Sequence, residues 1–439
     1  MLTQAGPDQE QIHNLLLEQH DRIVQSGGPL KRVRSKAWER FVELGYPHKK
    51  VEEYNYVPLR KFYEETFSLS THENLSKEEV LNHIYPECQG AFLVLVNGKF
   101  RPDLSSQEQL PEGIEAYTMS EAMARYGSFL NNRWQKSVKK EKDAFASLSL
   151  AMNEDGLFLY VPPKLECTQP IQILHIVHGS EDSLVMSHPY IHVAVGTQSS
   201  LKLCVESVSN GKRICSNHLT ECSLDEASRM EYLNLSVDHN EKSWIYDALR
   251  VRCKRDAVFR SLTLTNGSAT VRQDYSCVLE GENAEVNLEG LGYLKNKRHA
   301  HVNVFMEHAA PHTRSTQLFK NCLSDISRSS FEGKIYVHSE AQKTDAFQLS
   351  SNLILDQAMA NCKPNLEIFA DDVKCSHGAT VGRLDADSLF YLKSRGLPEQ
   401  LAKSLLVSGF LQELLERVSL ESIKKRMMGE IQSFLHLSE

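Results

Sequence analysis

The chain has 439 residues, 41% of them hydrophobic and 24% charged, with a formal net charge of −8. Such a composition suits a globular protein of two or three structural parts and lacks the basic blocks of a nucleic-acid binder. No apolar run reaches bilayer-spanning length, so a membrane-embedded role is disfavoured as well. The first thirty residues carry Asp8, Glu10, Glu18 and Asp21 and no apolar stretch. They read as neither a secretory signal nor a transit peptide, which predicts a cytoplasmic protein. Ten cysteines occur without a Cys-x-x-Cys pair. In that setting reduced, packed thiols are expected, not a disulfide framework.

Residues 1–155 read as mostly helical with one short hairpin. Ile12, Leu15, Leu16 and Ile23 recur at helical spacing between Gln11 and Gln25, and Gly27-Gly28 closes the segment. Ser35 is placed as the cap of a second helix through Trp38, Phe41 and Leu44, ended by Gly45. Ala91 to Val96 runs into Asn97-Gly98, a type I′ hairpin signal. Helical character returns over Ser120–Tyr126 and Gly127–Lys136.

Residues 156–384 read as short strands. Alternation is clear in Ile171–Ile176, Ile191–Val195 and Val286–Glu289. Ala227, Ala257, Ala284 and Ala341 each follow a polar residue just before an alternating run, 30, 27 and 57 residues apart. A period of this size predicts a solenoid, in which each coil covers its neighbour. Periodicity alone leaves a sandwich open.

Residues 385–439 read as helical. Asp385 caps a helix over Ser388–Ser394 that Gly396 ends. Pro398 opens the next, with an apolar stripe through Leu401, Leu405, Phe410, Leu414 and Leu415. A last helix covers Ser419–Leu437; such stripes are usually core, while a short tail projecting from a solenoid could use one to hold a partner.

One tract carries most of the chemistry. Between Pro364 and Gly382, Cys375 and His377 stand two residues apart in a strand-like run. Residues at i and i+2 of a strand share a face, so sulfur and imidazole nitrogen lie side by side, a ligand pair suited to iron, zinc or an iron–sulfur species. Two ligands do not close a four-coordinate site, so a partner has to supply the rest. Asp371 shares the parity; it reads first as a turn-capping residue and second as an auxiliary hard ligand. Lys374 falls on the opposite face, which leaves a protonated His377 as the group expected to lower the pKa of the Cys375 thiol. His299 and His301 repeat the i, i+2 spacing. His308 and His312 have i, i+4 spacing, but Pro311 interrupts any helix there. No phosphate-binding Gly-x-x-x-x-Gly-Lys loop occurs, so ATP hydrolysis is expected on another subunit.

The Pro364–Gly382 tract resembles the signature of the SufB/SufD family, the scaffold subunits of the Suf iron–sulfur cluster assembly system. The resemblance continues through Gln348–Leu355 and Leu389–Gly396 and runs from about Phe331 to Phe410. The segment Gly45–Tyr56 is similar to the SufD branch, with Tyr54 where tryptophan is usual and Val57 where threonine is usual. The resemblance implies a right-handed parallel β-helix flanked by helical regions. It implies a non-catalytic scaffold that pairs with a SufB-like subunit, docks a SufC-like ATPase through Leu401, Leu405, Phe410 and Leu414, and forms a homodimer when isolated. His377, with Cys375 beside it, would face the shared interface. Iron or a cluster would be held there transiently, and no cofactor tightly by the isolated chain. The competing readings are a polysaccharide-active β-helix enzyme and a structural adaptor without metal contact.

Overall fold

The computed structural model describes residues 9–69, 75–209, 212–237 and 239–435. The amino-terminal part holds helices α1 (Glu10–Gln25), α2 (Lys31–Leu44), α3 (Leu59–Tyr63), α4 (Lys77–Leu81), α5 (Met119–Lys140) and α6 (Ala144–Met152). Four short strands lie among them: β1 (Phe67–Leu69), β2 (Phe92–Val96), β3 (Lys99–Phe100) and β4 (Glu115–Thr118). The hairpin forms as expected, because Asn97 and Gly98 both take the positive φ, 51° and 87°, that a type I′ turn demands. Helix α5 bends at Tyr126, whose φ of −118° and ψ of 20° leave the helical region where the sequence pattern breaks. Ser35 is not a cap: α2 begins four residues earlier, at Lys31, with Leu30 at the N-cap. Burial of Leu30, Val33 and Ala37 sets that start, and α2 has no side-chain cap.

The solenoid follows. Its strands are β5 (Leu157–Val161), β6 (Ile171–Val177), β7 (Leu184–Ser187), β8 (Tyr190–Val195), β9 (Ser200–Ser209), β10 (Ile214–Leu224), β11 (Arg229–Ser236), β12 (Trp244–Cys253) and β13 (Val258–Thr265). They continue through β14 (Thr270–Leu279), β15 (Glu285–Leu294), β16 (His299–His308), β17 (Arg314–Leu323), β18 (Arg328–Val337), β19 (Asp345–Ile354), β20 (Met359–Ile368) and β21 (Lys374–Gly382). From β8 onward even strands stack in one sheet and odd strands in the other, all parallel, giving seven coils from β8–β9 to β20–β21. The chain is thus mainly β, a parallel β-solenoid with helical regions at both ends. Strands β2 and β4 of the amino-terminal part pair with β6 and β5, so that part joins both sheets.

Burial follows position along the solenoid. All eleven residues of β10 are buried, because α6 covers its outer face. Strands such as β16 and β19 alternate between buried inward and partly exposed outward residues. The lumen core stacks Phe259, Val286 and Leu288 of one sheet against Leu249, Val251 and Cys277 of the other.

The recurrence read from the alanines is a recurrence of backbone geometry. Gln198, Ala227, Asp256, Asn283, His312 and Lys343 all have φ between 54° and 62°. Each sits two residues before an odd strand, from β9 to β19. The N–H of each donates to a carbonyl of the next coil's turn, from Gln198 to Glu226 through Lys343 to Asp372. Stacked backbone bonds hold these corners left-handed whatever the side chain.

Three helices complete the chain: α7 (Ala386–Ser394), α8 (Glu399–Leu415) and α9 (Glu421–Phe434). Asp385 caps α7, its carboxylate accepting from the Ser388 N–H at 2.8 Å. The stripe is core, as such stripes usually are, and the tail lies back on the solenoid. Val407, Leu411, Leu414, Ile423, Met427 and Ile431 pack on the outer face of the odd-strand sheet, against Tyr293, Leu318 and Cys322. Arg426 Nη1 lies 2.7 Å from Glu206 Oε1, and the Ser422 N–H donates to Glu87 of the amino-terminal part at 2.9 Å. An apolar stripe needs a covered face, and the nearest apolar surface is the solenoid itself.

Buried histidines couple this fold to pH. Burial lowers the pKa of His188 and of His308 from 6.5 to about 3. Burial also lowers those of His175 and His301. Below pH 6.5 the unfolded chain takes protons that the folded chain refuses, so stability falls as pH falls from about 6.5 towards about 3. His188 and His308 together are expected to remove about 3 kcal/mol between pH 7.5 and 5.5. Denaturant midpoints across that range check this; a flat profile would mean these rings are protonated in the folded chain.

Candidate functional site

The solenoid ends open. Strand β20 pairs only with β18, and β21 only with β19, so each leaves one ladder edge unpaired among the described residues. Both strands are half-buried or exposed throughout. At this mouth Cys375 pairs in register with Ala346 and His377 with Gln348, two residues that are fully inside the lumen. The expected parity therefore holds: Cys375 and His377 share the inward face, while Lys374 pairs with Asp345 on the outer one. Cys375 is half-buried and packs on the lumen core with Leu366 and Val373, whereas His377 is exposed.

The expected lowering of the thiol pKa is not found. Burial raises the Cys375 pKa and the nearby Asp345 charge adds to this, against a partial offset from a backbone hydrogen bond to Ala346. Asp371 lies exposed in the β20–β21 turn, with no ion pair to another described residue. Its neighbour Asp372 ties that turn down, through its N–H to Gln342 Oε1 at 3.0 Å. The side chain that caps the turn is thus that of Gln342, one coil below.

A second thiol was not singled out by sequence. Cys362 of β20 pairs with the lumen residue Phe331 and accepts from Asn352 Nδ2 at 3.2 Å. Its even parity with Ala360 and Pro364 was visible, but placing it at the mouth beside Asn352 required the coil length. Among the described residues no three His, Cys, Asp or Glu side chains converge closely enough to hold a metal ion.

The other histidines that the sequence singled out assemble no metal site among the described residues. Both ring nitrogens of His308 are engaged, by Thr313 Oγ1 at 2.8 Å and Ser315 Oγ at 2.9 Å. His301 is buried and bonded to Ser330 Oγ at 2.7 Å. His299 lies 5.6 Å from His301 between ring centroids, and burial with Arg328 and Lys61 nearby lowers its pKa to about 4. His312 occupies a left-handed corner.

The mouth is rimmed by apolar groups. Phe369, Val381, Phe390 and Tyr391 are each more than half exposed. On α8, Leu401 and Leu405 are 38% and 49% exposed. Phe410 packs partly against the solenoid, with Lys320 Nζ 5.0 Å from its ring centroid. Leu414 is fully buried against the chain's own sheet, so it meets no partner while α8 stays docked.

Residues 175–410 match the family profile described as SUF system FeS cluster assembly, SufBD core domain, and residues 7–173 match the SufBD protein N-terminal region. The chain belongs to the SufBD family of iron–sulfur cluster assembly proteins. Among its relatives, the iron–sulfur cluster assembly protein SufD of Escherichia coli is 27% identical over 95% of this chain and 96% of its own. An iron–sulfur cluster assembly SufBD family protein of Synechocystis is 28% identical over 91% and 89%. Protein ABCI7, chloroplastic, of Arabidopsis thaliana is 25% identical over 93% and 86%. No helix among the described residues is long and apolar enough to cross a membrane.

Proposed function

We propose that this chain is the SufD-like, non-catalytic scaffold subunit of a Suf-type complex, pairing end-on with a SufB-like subunit. The observation that carries this is the open last coil: two unpaired strand edges flank an inner face bearing His377 and Cys375. Unpaired parallel edges are templates for a further strand, and the exposed Phe369, Val381, Phe390 and Tyr391 supply apolar area around them. An incomplete ligand set suits a cluster built at a shared interface, with the partner completing the coordination. Iron and sulfide are then cargo of the complex.

The SufC-like ATPase docks on α8 through the exposed Leu401 and Leu405. Both stand out of the stripe that α8 uses on its own solenoid. The double variant Leu401→Asp, Leu405→Asp is expected to weaken ATPase binding by at least about tenfold, since a few buried residues carry most of an interface's energy and an unpaired charge buried there opposes binding. Pairing with the SufB-like subunit should survive. Co-purification of the tagged chain, with the bound subunits identified, reads both. Retained ATPase binding would place that docking surface elsewhere, and loss of both partners would point to misfolding of the tail.

A further inference from the structure

Beneath His377 runs a column of carboxamides. The inward ladder Gln317–Gln348–His377 occupies one position on three successive odd strands. Gln317 and Gln348 are both fully buried, and neither the nitrogen nor the oxygen of either amide has a hydrogen-bond partner. A buried amide with both atoms unpaired is rare and calls for a partner in the working state. The opposite wall is cut back to make room. A Cβ on Gly333 of β18 would lie 1.6 Å from Gln348 Nε2, so the amide reaches the opposite wall of the lumen where that wall carries no side chain. Neighbouring strands lie about 4.8 Å apart, so residues stacked in register on one face are within side-chain reach.

We infer that Gln348 is a positioning residue for His377. In the working state its Oε1 turns to accept a hydrogen bond from the inward ring N–H of His377 and its Nε2–H donates to Gln317 Oε1, two bonds that would satisfy the amides left unpartnered here. Neutral imidazole carries one N–H, so fixing it inward leaves the outward nitrogen with the free lone pair at the mouth. That is the arrangement an imidazole ligand needs, with the group behind it setting tautomer and ring angle. The exposed ring acquires its orientation from a buried amide one coil below. The inference rests on the reading of His377 as a ligand, but its test needs no cluster.

The test uses the isolated full-length chain with 15N-labelled histidine, free of iron, with the His377 signals identified by their loss in His377→Gln. In the unsubstituted protein the inward ring N–H should be observable and protected from solvent exchange. Gln348→Met keeps the length and burial and removes the acceptor. It is expected to change the tautomer ratio of His377 by about fivefold, the ratio that one ordinary net hydrogen bond supports. Gln317→Met, one coil further in, should change it by less than about twofold on the same basis. An unchanged ratio in folded Gln348→Met overturns the proposal. So does an equal change in both variants, which would mark a general loosening of the lumen, and so does a ring whose inward nitrogen carries no proton. If Gln348→Met does not fold, solvent exchange of the His377 ring N–H in the unsubstituted chain decides alone, and exchange as fast as free imidazole refutes it. Loss of cluster assembly in His377→Ala is a separate result. If that fails while the tautomer is fixed, the ligand reading falls and the Gln348–His377 bond stands.

Discussion

Replacing His377 with alanine is expected to lower iron and sulfide loading of the assembled complex by at least about tenfold, because even groups behind a metal ligand are worth 10–100-fold. The fold of the isolated chain should not change. His377 is exposed on the last strand, and substitutions at such positions shift stability by about 0.5 kcal/mol or less. Cluster absorbance with iron and sulfide analysis, read beside circular dichroism of the lone chain, gives both quantities. Normal loading would sink the assignment of the mouth as the cluster interface. Loss of folding would make His377 structural. Cys375 is a poorer probe, since its half-buried sulfur packs on the lumen core and its replacement mixes packing with ligation.

Arg272→Met is expected to destabilise the chain by about 3–5 kcal/mol, the usual consequence of removing one member of a buried ionic cluster. Arg272 is buried between Asp143 at 3.0 Å and Asp274 at 2.9 Å, with its guanidinium 4.0 Å from the Tyr54 ring centroid. The Tyr54 hydroxyl donates to Asp143 at 2.6 Å. This cluster fastens the amino-terminal helices to strand β14. Burial raises the Asp143 pKa and Arg272 opposes it, so without that cation the carboxyl has to protonate or leave the interior. Equilibrium unfolding in urea measures the loss, and adding Asp143→Asn should recover part of it. A loss under about 1 kcal/mol would show that water already solvates the cluster.

Local chemistry was the legible part of this fold. Asn97-Gly98 admits few conformations, so its hairpin could be read directly. Asp385 could be read as a cap because a short carboxylate competes well for orphan N–H groups. The shared face of Cys375 and His377 followed from strand parity. What stayed hidden depended on partners distant in sequence. The six left-handed corners carry Gln, Ala, Asp, Asn, His and Lys. No residue type marks them, because stacked backbone bonds from the next coil impose the geometry. The stripe on α8 showed that one side would be covered and said nothing about what covers it. The direction of the Cys375 pKa shift turned on burial over the coil below and on Asp345, one strand away.

The folded-back tail changes how the solenoid resists force. Coils that touch only their neighbours fray one at a time from a free end. Here the tail's apolar cluster includes Cys204 of β9, Leu235 of β11, Leu264 of β13, Tyr293 of β15, Cys322 of β17 and Leu353 of β19. One helical splint therefore crosses six consecutive rungs. Peeling the last coils means lifting that splint, so opening at the mouth becomes coupled to opening along the barrel. Tension applied through the tail is likewise distributed over every rung it crosses, and the molecule answers as a single stiff spar.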